Sequence, residues 1–120
     1  VWRTSGISYD TQPVVAGATV YAVRYNRQVD AINDVDGQVL WTWLPPLTDP
    51  GRIGLNNLIV FDNLLFVSTE TALYAIDRQT HATVWSSPTP GRISFSAGYV
   101  LYVVDALSTP KTITAIKLKD

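Results

Sequence analysis

The chain has 120 residues, of which 47% are apolar and 16% charged, so it is rich in core-forming residues and is the size of one ordinary domain. Nine basic and ten acidic side chains give a net charge of −1, and this balance provides no field that favours nucleic acid or an anionic membrane. The sequence contains no cysteine, which excludes disulfides and cysteine-based metal sites but does not fix the compartment.

The longest apolar run, residues 99–104, is far shorter than the ~20 residues that span a bilayer. The chain contains no Met and begins at Val1. We therefore expect either a processed product or a piece of a longer protein.

Three segments repeat the order β-rich run, turn pair, β-rich run. The turn pairs are Ala16-Gly17, Asp62-Asn63 and Ala97-Gly98. Gly and Asn tolerate the positive φ that a tight hairpin turn requires. A third strand follows each hairpin, with Ala and then Ile at the same two places. The alanines are Ala31, Ala75 and Ala115. A small residue at one place in three units indicates a backbone too close to a neighbour for a larger side chain.

A fourth strand ends on Trp41 in the first unit and on Trp85 in the second, so residues 31–41 return as residues 75–85. The third unit stops before its Trp. Trp2 lies close to one repeat length before Trp41, so residues 1–5 are predicted to be the outer strand of another unit. Between the first two units, residues 44–52 contain three prolines, which predicts a loop.

The two Trp repeats resemble the tryptophan-docking motif Ala-x-Asp-x-x-Thr-Gly-x-x-x-Trp of pyrroloquinoline-quinone (PQQ)-like β-propellers. The second copy matches at Ala75, Asp77, Thr80 and Trp85, and it has His81 where Gly is expected. The first copy matches at Ala31, Gly37 and Trp41, with Asn33 for Asp and Asp36 for Thr. The third copy keeps only Ala115, with Lys117 for Asp.

This resemblance implies an all-β fold of about three four-stranded antiparallel propeller blades, an incomplete ring that forms a single segment over residues 1–120. The blades are expected at residues 11–43, 57–86 and 92–118. In such a fold the Trp packs between neighbouring blades, which agrees with the large area that a buried Trp removes from water. Three blades are too few for a closed ring. We therefore expect a homo-oligomer or a longer propeller.

The family includes quinoprotein dehydrogenases and an outer-membrane assembly lipoprotein, so the resemblance leaves function open. A quinoprotein site needs basic groups and a Ca²⁺ with carboxylate ligands. Most acidic residues here fall at predicted turns, where Asp bonds local backbone. The lone His81 has no nearby nucleophile in the sequence pattern. We assign no catalytic, cofactor-binding or metal-binding residue and expect no cofactor.

Two features could contact a partner. Arg52 and Arg92 each follow Pro-Gly and precede a first strand, so both are expected near the mouth of the central channel. They could bind an anionic ligand or an acidic partner segment, or they could simply cover the strand with their aliphatic stems. Trp43 has no counterpart in the second unit, and it could anchor an interface or cap the core.

Two functions follow. The first is a non-enzymatic scaffold for protein–protein interaction, outside the cytoplasm in the periplasm or at the cell surface. The alternative is a fragment of a PQQ-dependent dehydrogenase whose cofactor residues lie in blades absent from this sequence.

Overall fold

The computed structural model describes residues 1–54, 57–96, 98–105 and 109–118. These residues form eleven strands and no helix. The strands are β1 (Tyr9–Ala16), β2 (Thr19–Arg24), β3 (Gln28–Asn33), β4 (Val39–Trp43), β5 (Leu58–Phe61), β6 (Leu64–Ser68), β7 (Leu73–Asp77), β8 (Thr83–Ser87), β9 (Arg92–Phe95), β10 (Val100–Asp105) and β11 (Thr112–Lys117). Within the described part of the chain, no helix could cross a membrane.

The strands form three antiparallel sheets that follow chain order, and we call them blades 1, 2 and 3. Blade 1 pairs β1-β2-β3-β4, blade 2 pairs β5-β6-β7-β8, and blade 3 pairs β9-β10-β11. The innermost strands β1, β5 and β9 lie in contact in that order. The blades are thus arranged around one side of a channel and do not close into a ring. The predicted all-β propeller architecture is confirmed.

Alanine and tryptophan are paired in the same way in the first two blades. Ala31 lies opposite Trp41, and Ala75 lies opposite Trp85. The pairing register shifts directly after each alanine. A shift of this kind adds a residue to one strand and bends it, so both outer strands carry their Trp at the same place and in the same orientation to the sheet.

The turns after β3 and β7 also match. Gly37 and His81 adopt φ values of 75° and 68°. The N–H of Gly37 donates to Asn33 O at 2.9 Å, and the N–H of His81 donates to Asp77 O at 2.8 Å. A left-handed conformation is easy for Gly and costly for His. Blade 2 therefore keeps the backbone of the glycine turn while carrying a side chain there.

Two apolar layers lie between the blades. The layer between blades 1 and 2 includes the buried side chains Tyr21, Val29, Leu65 and Ile76. The layer between blades 2 and 3 includes Phe66, Leu73, Leu101 and Val103. Blade 2 is therefore covered on both faces, as the alternation of inward and outward side chains on its strands requires.

Residues 1–5 belong to none of the eleven strands, and their assignment as an outer strand of another blade stays a prediction. The blade boundaries likewise stay a prediction as domain limits. Three parts of the chain that bear on the expected third blade, residues 92–118, lie outside the described residues. They are the predicted turn residue Ala97, residues 106–108, and residues 119–120 just after the expected blade.

Candidate functional site

The indole of Trp41 lies between blades 1 and 2. Its ring stacks on the imidazole of His81 with centroids 4.2 Å apart and planes 11° from parallel. The ring of Tyr21 also contacts the indole, edge-on with centroids 5.9 Å apart. The guanidinium of Arg78 donates to the Tyr21 hydroxyl at 2.9 Å. The side chain of one blade therefore rests on the turn of the next, and polar contacts from that turn hold the arrangement.

Trp2 makes the same kind of contact with blade 1. Its Nε1 donates to Asp34 O at 2.8 Å, and its ring lies against Gly37. A Cβ added at Gly37 would lie 2.6 Å from Trp2 Cδ2, which is too close for any side chain. Glycine at this turn is thus required both by its φ of 75° and by the indole above it.

Trp85 is 41% exposed. It lines an opening of about 230 Å³ together with Phe66, Ala75 and Leu118. Trp85 and Ala75 belong to blade 2, and Leu118 directly follows the last strand of blade 3. The repeated alanine of the third unit, Ala115, lies opposite Tyr102 on β10.

Trp43 does not offer a surface for a partner. It is 5% exposed, its Nε1 donates to Thr83 Oγ1 at 2.9 Å, and its ring lies 5.2 Å from that of Tyr74. Of the two roles considered for Trp43, the structure supports the cap on the core. Trp43 fills the space between blades 1 and 2. An interface anchor would instead need an exposed ring.

Asp49 fixes the proline-rich loop to blade 2. Its carboxylate is 5% exposed and accepts hydrogen bonds from Tyr74 Oη at 2.6 Å, Thr69 Oγ1 at 2.7 Å, Thr71 Oγ1 at 2.5 Å and Gly51 N at 2.7 Å. Burial opposes the charged form, but these donors outweigh it and lower the pKa of Asp49 below its ordinary value. Burial and the bond to Asp49 raise the pKa of Tyr74 to about 12.

The same loop is also fixed to blade 1. The guanidinium of Arg27 donates to Gly51 O at 2.7 Å and to Asp49 O at 2.5 Å. The loop therefore has a side-chain anchor on each of the two blades that it joins. Before these anchors, on the side of β4, the loop exposes Leu44 and, completely, Leu47.

Blade 1 contains a second buried carboxylate. Asp30 is fully buried and accepts from Tyr9 Oη at 2.6 Å and Thr42 Oγ1 at 2.8 Å. Arg24 forms an ion pair with it, Nε to Oδ2 at 3.0 Å. Burial and the bond to Asp30 raise the pKa of Tyr9 to about 12.

Arg52 and Arg92 line one cleft of about 410 Å³ at the end of the sheets where the proline-rich loop lies. Both side chains are exposed. Neither guanidinium forms a hydrogen bond or ion pair with any other described residue. Glu70 and Asp105 line the same cleft, and the Glu70 carboxylate accepts from Arg52 N at 2.7 Å. The two arginines, which the sequence placed near a channel mouth, are thus brought together between blades 2 and 3.

Asn57 also lines this cleft. It is 9% exposed, and its Nδ2 donates to Ser68 O at 2.7 Å. Its Oδ1 is buried and has no hydrogen-bond partner among residues 1–54, 57–96, 98–105 and 109–118. An unsatisfied buried acceptor is uncommon and costs free energy.

Sequence analysis did not single out Asp30, Asp49 or Asn57. Asp30 had a signal, because a charged residue interrupts the apolar strand between Val29 and Ala31. Asp49 stands among prolines in a loop, where Asp ordinarily bonds its own backbone. Nothing in the sequence around Asn57 marks it as buried.

A quinone cofactor with its Ca²⁺ would need several acidic ligands in one place. Across the described ranges, no group of three or more His, Cys, Asp or Glu side chains could hold a metal ion. The described part of the chain does not by itself build that site.

The sheet architecture and the Trp contacts define a β-propeller of PQQ-like repeats. Residues 1–88 match the family model described as "Outer membrane protein assembly factor BamB", and the chain belongs to this family. It is 31% identical over 97 residues to the outer membrane protein assembly factor BamB of Alteromonas naphthalenivorans, an alignment that covers 68% of the chain. The chain spans 23% of that relative's length.

Solved structures show the same fold. BamB from Moraxella catarrhalis superposes with a TM-score of 0.72 at 12% identity, covering 98% of this chain and 40% of that one. The quinohemoprotein alcohol dehydrogenase from Comamonas testosteroni superposes with a TM-score of 0.69 at 19% identity, covering 93% of this chain and 20% of that one. The fold is therefore shared by an assembly factor and an enzyme.

Proposed function

We propose that the chain is a non-enzymatic propeller scaffold that contacts another protein outside the cytoplasm. The observation that carries this proposal is the pair Arg52 and Arg92, which each follow Pro-Gly in the sequence and line one cleft without a described partner for either guanidinium. Unpaired guanidinium groups suit recognition of carboxylates on a partner. The family's description as an outer membrane protein assembly factor supports a role in protein contact and an extracytoplasmic location.

The proline-rich loop lies at the same end of the molecule as this cleft, and its exposed side chains also favour a contact surface there. It exposes Leu44 and Leu47 while Asp49 and Arg27 hold its backbone in place. Loops fixed on a rigid scaffold are common sites of recognition. A loop whose backbone is already fixed loses little backbone freedom when a partner covers it.

The experiment is site-specific photocrosslinking in the native organism. A photoreactive residue replaces Thr48 at the cleft end or, as the matched control, Gln79 in the turn after β7 at the opposite end. We expect a protein adduct from position 48 that disappears in the double variant Arg52→Glu, Arg92→Glu. Adducts that form only from position 79, or that survive the charge reversal, would contradict the proposed contact surface.

The second candidate is a piece of a PQQ-dependent dehydrogenase, and the similarity of fold to a quinohemoprotein enzyme favours it. In this reading other blades supply the Ca²⁺ ligands, because the described residues contain no group of three or more His, Cys, Asp or Glu side chains that could hold the ion. Incubation with PQQ and Ca²⁺ followed by a redox-dye assay separates the two candidates. Dye reduction above that of free PQQ would overturn the scaffold proposal.

We also propose that blade 3 is covered by a further blade, either from a second copy or from a longer propeller. Tyr102, Val104 and Ile113 lie exposed on one face of blade 3, and the equivalent faces of blades 1 and 2 are buried. Light scattering after size exclusion tests this proposal. A particle of about twice 13.2 kDa supports a second copy, whereas a monomer favours a longer propeller.

A further inference from the structure

Asn57 lines the cleft between blades 2 and 3 and carries a buried polar atom that no described residue pairs. Asn57 is nine-tenths buried, and its Oδ1 accepts no hydrogen bond from any residue that the structure describes. The amide cannot gain by turning over, because its Nδ2 already donates to Ser68 O at 2.7 Å. The oxygen therefore needs a donor from outside the described chain, such as an N–H or an O–H.

The charged side chains that line the cleft indicate what kind of ligand it can bind. Arg52 and Arg92 provide guanidinium donors, while Glu70 and Asp105 place carboxylates on the same wall. A compact polyanion such as phosphate would meet both attraction and repulsion there. A peptide carries its carboxylates singly, with backbone N–H groups between them. Such a ligand can place a carboxylate on each arginine and donate an N–H to the carboxylates of the cleft or to Asn57 Oδ1.

The volume agrees with an extended segment. A cleft of about 410 Å³ lies within the range of sites that take small ligands or a few residues of peptide. Its lining comes from loops and strand ends of all three blades, including Asn26 of blade 1. A segment lying across it would contact both Arg52 and Arg92.

We propose that this cleft binds an extended acidic peptide segment of the partner, with a carboxylate on Arg52 and Arg92 and a peptide N–H on Asn57 Oδ1. The inference rests on the proposed function and specifies the chemistry that the contact surface recognises. It gives the buried amide of Asn57 a role in reading the peptide backbone, while the arginines read its side chains.

The test is a binding titration of the 120-residue chain by fluorescence anisotropy. The probe is a blocked, labelled octapeptide of alternating Gly and Glu. Two matched peptides replace every Glu by Gln or carry a methyl group on every Glu nitrogen. Each change removes charged or backbone hydrogen bonds, so we expect binding to weaken about tenfold or more with either peptide. Equal binding of all three peptides overturns the inference.

Variants separate the two parts of the site. Arg52→Gln with Arg92→Gln is expected to lower affinity for the Glu peptide at least tenfold, whereas the matched exposed pair Arg3→Gln with Lys111→Gln, which removes the same charge, leaves it unchanged. A variant of the buried Asn57 can fail by misfolding, so the N-methylated peptide provides the test of that contact on the unaltered chain. Binding that the methyl groups do not weaken overturns the role of Asn57.

Competition distinguishes peptide recognition from simple anion binding. Inorganic phosphate at equal charge concentration is expected to displace the probe poorly, and displacement as effective as that by unlabelled Glu peptide overturns the inference. Failure of these peptide arms leaves the proposed contact surface intact. Crosslinks confined to position 79 would instead remove the proposed function itself.

Discussion

Blades 1 and 2 contain the same hydrogen-bonded pair, tyrosine with aspartate, with the two residues exchanged. The residue before the alanine of the third strand is Asp30 in blade 1 and Tyr74 in blade 2. Asp30 accepts from Tyr9, and Tyr74 donates to Asp49, in both cases at 2.6 Å. The same buried position of the third strand thus takes part in a tyrosine–aspartate bond in both blades, with Asp in one blade and Tyr in the other.

The exchange changes what the pair connects. Tyr9 and Asp30 both lie within blade 1, so their bond closes one sheet on itself. Asp49 comes from the loop that leaves blade 1, so its bond to Tyr74 joins two blades. Substitutions at the two carboxylates should therefore affect the molecule over different distances, and this difference can be measured.

The largest effect is expected from Asp49→Ala. The substitution leaves four donors without their acceptor, and an unsatisfied buried group costs about 1–3 kcal/mol. Some of these donors will reach water, so we expect a loss of about 4 kcal/mol in the free energy of unfolding. Urea denaturation measures the loss. Hydrogen exchange should also show faster exchange in residues 44–52, because the loop loses its anchor on blade 2.

Two controls test whether the Asp49 carboxylate itself stabilises the fold: the variant Asp49→Asn, and urea denaturation of the wild type at acidic pH. The amide retains one acceptor oxygen, so we expect a smaller loss than for alanine. The lowered pKa of Asp49 means that its contribution is present above its ordinary pKa of 3.8 and is lost as the pH falls through the folded-state pKa. An Asp49→Asn variant that loses stability as steeply as the wild type below pH 3.8 would contradict this assignment.

Asp30→Ala is expected to cost about 3 kcal/mol, because breaking a buried ion pair leaves a charge without its partner. The Arg24 side chain is 23% exposed, so water reaches it and keeps the cost below that of Asp49→Ala. Urea denaturation gives the comparison. Hydrogen exchange in residues 44–52 should stay unchanged, and a rise there equal to that in Asp49→Ala would show that the two carboxylates do not differ in reach.

The two docking turns offer a smaller contrast. Gly37→Ala is expected to cost about 2 kcal/mol, because the new Cβ would meet Trp2 and the φ of 75° is strained for alanine. His81→Ala keeps a strained φ and loses the ring stacked on Trp41, a loss of about 1 kcal/mol. His81→Gly also loses the stack but relieves the strain, so we expect almost no change. Thermal or urea unfolding of the three variants measures the order.

The repeat in the sequence predicts the sheets well and the polar contacts poorly. Ala31 and Trp41 recur as Ala75 and Trp85. Each pair lies on two adjacent strands that are neighbours in sequence, so the repeat alone predicts how these strands pair. The fold of the loop around Asp49 depends on donors from blade 2, which are distant in sequence. Trp43 shows the same limit, since an indole beside a loop gives one sequence pattern whether it faces solvent or Tyr74.

The candidate site divides in the same way. The Pro-Gly-Arg repeat singles out Arg52 and Arg92, and both line one cleft. The repeat does not give their placement, because Arg92 begins β9 whereas Arg52 lies in the loop before β5. The unsatisfied oxygen of Asn57 arises from the packing around it, with Nδ2 committed to Ser68. Such an atom has no signature in the order of residues.

The smallest effect concerns the hydroxyl groups of the two pairs. Tyr9→Phe and Tyr74→Phe each remove one hydrogen bond, so we expect each to cost about 1 kcal/mol at neutral pH. In the wild type, burial and the neighbouring carboxylate raise both pKa values to about 12. A tyrosine whose folded pKa is raised stabilises the fold fully below its unfolded pKa of 10.0, and this contribution disappears as the pH rises from 10 to about 12.

Urea midpoints followed by circular dichroism between pH 8 and pH 12 test this expectation. Each Phe variant should lose stability less steeply above pH 10 than the wild type. Equal changes in slope for Tyr9→Phe and Tyr74→Phe would show that the exchanged pairs have the same strength. If the urea midpoint falls less steeply with pH in only one variant, the hydrogen bond within blade 1 and the bond between two blades differ in energy.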